Sequence, residues 1–182
     1  ITTGDNNVFV GYATGDVINT GGDNVAVGMA ALSSDTKGQD TVAIGHQALF
    51  SQNFTSATTS HNVAVGKNAG LLVTTGVQNT LIGSLAGDAL TDADYNTAFG
   101  HLALSTDTLG STSTALGYAA LKDQNFTSAT NSFNVAVGHL TGESITTGIQ
   151  NTLIGGLAGD ALTDADFNIA IGTYALTSDT LG

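Results

Sequence analysis

Three carboxylates fall within seven residues at Asp88, Asp92 and Asp94, and the arrangement returns at Asp160, Asp164 and Asp166. Carboxylate oxygens at close spacing are the hard ligands that Ca2+ takes, so both segments are candidate Ca2+ sites. The competing reading is a solvated turn in which Asp bonds nearby backbone, because the GGxGxD pattern of calcium-binding solenoids is missing. His46, His101 and His139 each directly follow a glycine. Three copies of one such histidine on a symmetry axis could hold a metal. Other copies of the position carry Tyr12, Met29, Lys67, Ser84 or Thr173, which favours plain solvent exposure. Gly66-Lys67-Asn68-Ala69-Gly70 lacks both the glycine spacing and the Lys-Ser/Thr end of a phosphate loop. No nucleophile elbow is present. The expectation is a protein that is not an enzyme, with no catalytic residues and no cofactor beyond the candidate Ca2+.

The elements that would position these residues must be built from an unusual composition. The chain of 182 residues has 24 Gly, no Pro, no Cys and only 10% charged residues, against ~25% in an average globular protein. It is too apolar for disorder. The net charge of −12, from 15 acidic and 3 basic side chains, leaves no basic patch for phosphates. Nucleic acid and anionic membrane surfaces are therefore disfavoured as partners. No apolar run approaches the ~18 residues of a membrane span, so no membrane insertion is expected in this segment. The absence of Cys removes disulfides and thiolate metal sites.

A five-residue unit recurs: Asn, apolar, usually Ala, large apolar, Gly. Its closing glycines are Gly11, Gly28, Gly45, Gly66, Gly83, Gly100, Gly117, Gly138, Gly155 and Gly172, spaced by 17 residues except for two intervals of 21. The opening residue is Asn7, Asn24, Asn62, Asn79, Asn96, Asn134, Asn151 and Asn168, with Thr41 and Ser113 in the remaining two units. A second period of 72 residues, 17+17+17+21, lies over the first and divides the chain into blocks 41–112 and 113–182. Residues 62–110 and 134–182 match at about two-thirds of positions. Such periodicity is the signature of a solenoid. The predicted fold is all-β: one repetitive β-solenoid or β-roll of ten coils over residues 1–182. Both ends fall inside repeats, so the chain reads as a fragment of a longer fibre.

Each unit reads as a short strand, with β-branched residues at its second and fourth positions, such as Val25 and Val27. The glycine turns the chain, and stacked Asn residues predict an amide ladder. Pairs such as Ala31-Leu32 and Ala103-Leu104 supply a second apolar segment, and Thr-rich stretches a third. The middle strand position is apolar too, from Phe9 and Ala26 through Ala170. A strand apolar on both faces is usually covered on both. The β-branched face is expected to fill the coil, and the Ala face to meet a neighbouring copy in a symmetric homo-oligomer.

The two 21-residue coils carry Gln52-Asn53-Phe54-Thr55 and Gln124-Asn125-Phe126-Thr127, each with an Asn-x-Thr sequon. Insertions into a solenoid are pushed out as loops. Asn53, Phe54, Thr55, Asn125, Phe126 and Thr127 are therefore the candidate receptor loops, against the alternative that Phe54 and Phe126 fold back to cover the coil edge.

The units Asn96-Thr97-Ala98-Phe99-Gly100 and Asn24-Val25-Ala26-Val27-Gly28, followed by Ala-Leu, resemble the "NTAxGxxAL" repeats of phage tail fibres. Those repeats often lie upstream of an intramolecular-chaperone domain of the endosialidase type. The units are also similar to the "NSVAIG" repeats of YadA-like heads in trimeric autotransporter adhesins, whose repeats are shorter. The resemblance implies a homotrimeric fibre on a virion or bacterial cell surface, hence an extracellular structural shaft. Its partners would be its own copies and a host cell-surface glycan or protein. The alternatives are a bacterial trimeric-autotransporter-like adhesin head and a free-standing ice- or glycan-binding solenoid. The irregular Thr spacing speaks against ice binding.

Overall fold

The computed structural model describes residues 4–182. The chain is a parallel β-solenoid; among the described residues there is no helix, and so none long and apolar enough to cross a membrane. Ten three-residue strands build its one large sheet. They are β1 (Val8–Val10), β2 (Val25–Val27), β4 (Val42–Ile44), β6 (Val63–Val65), β7 (Thr80–Ile82), β8 (Thr97–Phe99), β10 (Thr114–Leu116), β12 (Val135–Val137), β13 (Thr152–Ile154) and β14 (Ile169–Ile171). They pair in chain order, all parallel and without slip: Val27 lies on Ile44, and Ile44 on Val65. Two small sheets sit beside it, β3 (Gly38–Gln39) with β5 (Thr58–Thr59), and β9 (Gly110–Ser111) with β11 (Thr130–Asn131). At ~4.8 Å per strand, ten coils span roughly 48 Å.

A ladder runs along the Asn column, but its regular rungs join backbone N–H to side-chain Oδ1, and the expected amide-to-amide bond forms only from Asn79, Asn151 and Asn168. Asn24 N–H donates to Asn7 Oδ1, Thr41 N–H to Asn24 Oδ1, and Asn96 N–H to Asn79 Oδ1, each between neighbouring coils. From Asn7 to Asn151 each side-chain amide nitrogen bonds a carbonyl 14 residues on, as from Asn24 to Gly38 and from Asn96 to Gly110, whereas that of Asn168 bonds Asp166 O. Asn, with both a donor and an acceptor, thus ties its own turn and the next one together. Only the strand segment pairs as a regular sheet throughout. The Ala-Leu segment is a turn whose amides reach the coil above, as Leu32 N–H does to Ala48 O.

The faces of the strand are the reverse of the sequence expectation. The middle residue points inward: Ala26, Ala43, Ala64, Leu81, Ala98, Ala115, Ala136 and Leu153 are wholly buried within their own chain. The β-branched neighbours point out, and Val8, Val10, Ile44, Phe99, Leu116, Ile154, Ile169 and Ile171 are exposed. The reason is volume. A 17-residue coil encloses little space, and two further inward columns already fill it.

Those columns lie four and seven residues after each closing glycine. Where the strand supplies Ala26, Ala43, Ala98 or Ala115, the fourth position is Leu32, Leu49, Leu104 or Leu121, all buried. Where the strand supplies Phe9, Leu81 or Leu153, it is Gly15, Gly87 or Gly159. A Cβ on Gly87 would come within 2.8 Å of a Leu81 methyl, and one on Gly15 within 2.8 Å of the Phe9 ring. Large and small residues thus exchange places within these coils, and beside Ala64 and Ala136, where the fourth position is Gly70 or Gly142, leucines of the adjacent coils close the space, as close packing requires.

The closing glycines have φ between 124° and 145°, outside the left-handed well that other residues tolerate. A Cβ on Gly100 would overlap the carbonyl of Gly117 in the next coil. The sequence does not reveal the other left-handed positions. The residue before each Asn position, such as Asp23, Tyr95 or Phe133, and the second after each glycine also have φ near 50–60°. The fourth after each glycine does too, including Leu32, Leu49, Leu104 and Leu121.

Candidate functional site

The acidic segments do not close into a cation site. Asp94 Oδ1 accepts from Val77 N–H at 2.7 Å, and Asp166 Oδ1 from Ile149 N–H at 2.7 Å, each in the preceding coil. Asp92 Oδ1 accepts from the Thr75 hydroxyl at 2.6 Å. Asp88 stands half-buried in another column with one oxygen unpaired, as does Asp160, and burial pushes the Asp88 carboxyl up. Asp164 is exposed and accepts from Thr163 Oγ1. Among the described residues no three His, Asp or Glu side chains converge where they could hold a metal ion. Asp92, Asp94 and Asp166 instead tie coil to coil.

Of the loop candidates, only the two aromatics are overturned as exposed contacts. Phe54 and Phe126 are buried, at 5% and 6% exposure. Phe54 N–H points at Asp35 Oδ1, and Thr36 Oγ1 donates to Phe54 O; Phe126 is held likewise by Asp107 and Thr108. Asn53 and Asn125 accept through Oδ1 from Thr36 and Thr108. Each insertion widens its coil and then rejoins the stack through β5 or β11. Phe54 and Phe126 plug the widened coil, and only short stretches including Thr55 and Thr127 stay exposed. Receptor contact through these aromatics is excluded by their burial.

A polar cluster that sequence reasoning missed lies inside these two coils. Gln52, seven residues after Gly45, donates from Nε2 to Asp35 Oδ2 at 2.7 Å and to Thr41 Oγ1 at 3.1 Å. Its Oε1 accepts from Asn62 Nδ2 at 2.8 Å. Thr41 and Ser60 share a hydroxyl bond of 2.6 Å. The second copy repeats this with Gln124, Asp107, Ser113, Asn134 and Ser132. All ten side chains are fully buried or within 1% of it. Asp35 Oδ1 also receives the N–H of Lys37 and Gly38. The usable signal was positional: Asp35 and Gln52 fall in the column of Ile18, Val73 and Leu90, and inward columns bury whatever they hold.

The most extensive unsatisfied surface is the outer face of the large sheet. Its two outward columns run from Val8 to Ile169 and from Val10 to Ile171. They hold Val, Ile, Thr, Phe and Leu without one ionisable side chain, on a chain of net charge −12. Two ridges flank them. One carries Asp23, Asp40, His61, Tyr95, Phe133 and Phe167; the other carries Tyr12, Met29, His46, Lys67, His101, Tyr118 and His139. Tyr118 stacks on His139 with ring centroids 5.2 Å apart and tilts against His101 at 5.7 Å. The three histidines after a glycine therefore lie along a ridge of the sheet face, His101 and His139 against Tyr118 and His46 between Met29 and Lys67. No known protein family matches the chain, and no curated protein or solved structure is significantly similar to it.

Proposed function

We propose that this chain is a shaft segment of a homotrimeric extracellular fibre, of the kind found in phage tail fibres, and that it acts as spacer and structural support. One observation carries the reading: the outer face of the ten-stranded sheet is apolar, uncharged and uncovered. Apolar surface of this extent and continuity is characteristic of interaction sites. A face five residues wide and ten strands long offers roughly 700–800 Å2, about one partner's share of a standard stable interface. The acidic side chains that would repel a like copy lie elsewhere or on its rim, at Asp23 and Asp40. The number three comes from the resemblance of the repeats to trimeric fibres. Host-surface contact, if this segment makes any, falls to exposed ridge residues such as Tyr95 and Phe167 rather than to the 21-residue coils.

Light scattering tests the reading. The expected result is a mass three times that of the chain, falling to the monomer when Ile44→Glu and Leu116→Glu place acids on the outer face. A monodisperse, folded monomer at micromolar concentration would sink it.

A further inference from the structure

The buried Asp–Gln clusters do more than fill two coils. From their spacing and chemistry we infer that they are register locks, which single out one axial order of coils among many that would otherwise pack alike.

The problem they address is visible in the strands. β2, β6 and β12 are the same triplet, Val-Ala-Val, and β7 and β13 are both Thr-Leu-Ile. Every strand pairs with its neighbour through the same backbone bonds, whichever coil lies above. Most coils fill their own cross-section, and at Gly70 and Gly142 leucines of the two adjacent coils close the space. Several coils carry such a leucine, Leu32 as well as Leu49, so this packing singles out no one neighbour. β6 could pair with β2 as well as with β4 if the intervening coil were extruded as a loop. Repeats this alike are prone to such misassembly during folding.

The Asp–Gln contact differs because it joins two coils and nothing else in the column can replace it. The column seven residues after the glycine reads Ile18, Asp35, Gln52, Val73, Leu90, Asp107, Gln124, Ile145, Leu162 and Asp179. Asp35 meets Gln52 only when consecutive coils stack in chain order. With the coil of Gln52 extruded, Asp35 would face Val73, and a fully buried carboxylate would lose its only side-chain donor. A buried carboxyl oxygen left without a donor, as Asp35 Oδ2 would be, is strongly unfavourable, whereas a mismatched aliphatic contact is not. Buried polar pairs are best attested in this role, fixing register where apolar contacts do not.

The ladder supports the same assignment. It is interrupted where the clusters sit, because Thr41 and Ser113 are too short to continue it. The next amides, of Asn62 and Asn134, bond instead to Ser60 and Ser132 Oγ. Within a run such as Asn62-Asn79-Asn96 all rungs are interchangeable. At each interruption a distinct set of side chains must meet.

Cysteine crosslinking after refolding from denaturant tests the inference. Val27→Cys with Ile44→Cys reports native stacking, and Val27→Cys with Val65→Cys reports a one-coil slip. Both pairs are introduced into the parent chain and into one carrying Asp35→Asn, Gln52→Leu, Asp107→Asn and Gln124→Leu. The Asn replacements keep the Oδ1 acceptor for the Gly38 and Gly110 amides while removing the charge. The parent is expected to crosslink only through the native pair. The unlocked chain is expected to regain its β circular-dichroism signal and to crosslink through the slip pair at least several-fold more than the parent. Refolding with the native pair alone would overturn the inference. Failure of the unlocked chain to regain β structure would overturn it too, since the clusters would then serve stability and not choice of register.

Discussion

The inward and outward positions of each strand are one residue apart and obey different rules. Across the 72-residue duplication the inward residues repeat: Ala26 and Ala98, Ala43 and Ala115, Leu81 and Leu153. The outward ones repeat only in part: Val65 and Val137 match, as do Ile82 and Ile154, but Val27 becomes Phe99, Ile44 becomes Leu116, and on the flanking ridge Asp23 becomes Tyr95 and His61 becomes Phe133. Inside, each side chain is measured against a fixed small volume and against the coils above and below. Outside, nothing in the single chain limits size. The difference teaches that the fold is specified from the small side of the strand, and that the large side is free to be chosen for what it meets.

The backbone of the inward turn gives the sharpest break of that symmetry. Gly100→Val combines a forbidden φ with overlap on the Gly117 carbonyl, and should cost about 3–5 kcal/mol. Gly172 has φ 124° but nothing within 4 Å of a Cβ. The same substitution there should cost only strain, about 1–3 kcal/mol. Thermal or denaturant unfolding of the two variants compares them, and equal losses would show that the close approach of coils carries no weight.

Volume exchange comes next. Leu81→Ala opens a cavity and should cost about 2–5 kcal/mol. Gly87 already has φ 55°, a value Leu32 adopts at 51°, so Leu81→Ala with Gly87→Leu rebuilds the Ala–Leu cross-section used four times elsewhere in the chain. The double variant should recover at least half of the loss. Ile82→Ala, one residue away and outward, should cost the isolated coil under about 1.5 kcal/mol. Recovery no better than additive would mean that cross-sections are not interchangeable.

Much of this architecture was legible in the sequence. Regular glycines gave ten coils, and the Asn column gave the ladder, because both are backbone requirements that recur wherever the backbone does. Which face is inside was not legible. Alternation assigns faces when one is polar, and here both are apolar, so only the narrowness of the coil decides. Asp35 and Gln52 were passed over because polar side chains usually face water, and their column was hidden by the switch from Ile18 to Asp35. Phe54 and Phe126 were half-read: the insertion was plain, but whether an aromatic protrudes or plugs depends on room in the widened coil. Leu49 at φ 48° is invisible in sequence, because Leu carries no preference for that conformation.

The outer face gives the third test. Ile154→Glu should leave the unfolding of the separated chain within about 1 kcal/mol of the parent, because Ile154 is exposed and an exposed position tolerates a charge. It should nevertheless lower the assembled mass, since a desolvated and unpaired carboxylate at an interface is strongly disfavoured. Sedimentation alongside denaturant unfolding separates the two effects. A variant that unfolds early but stays assembled would reverse the assignment of faces.

The smallest effect concerns the one buried carboxylate whose titration is resolved clearly upward. Burial pushes the Asp107 carboxyl above its ordinary value of 3.8, against the opposing hydrogen bonds from Gln124 and from the backbone of Phe126, Gly110 and Thr108. Loss of water therefore outweighs four favourable contacts at this inward position. A raised value means that the folded chain holds the proton more tightly than the unfolded chain does. The contribution of Asp107 to stability is then fully present below the ordinary value and is lost as pH rises through the raised one. Asp107→Asn cannot titrate, so the difference in Tm between parent and variant isolates this group from the other carboxylates. As pH falls from about 6 to about 3, the parent should gain on the Asn variant. If it loses ground instead, the hydrogen bonds dominate the burial, and the buried cluster favours its charged form.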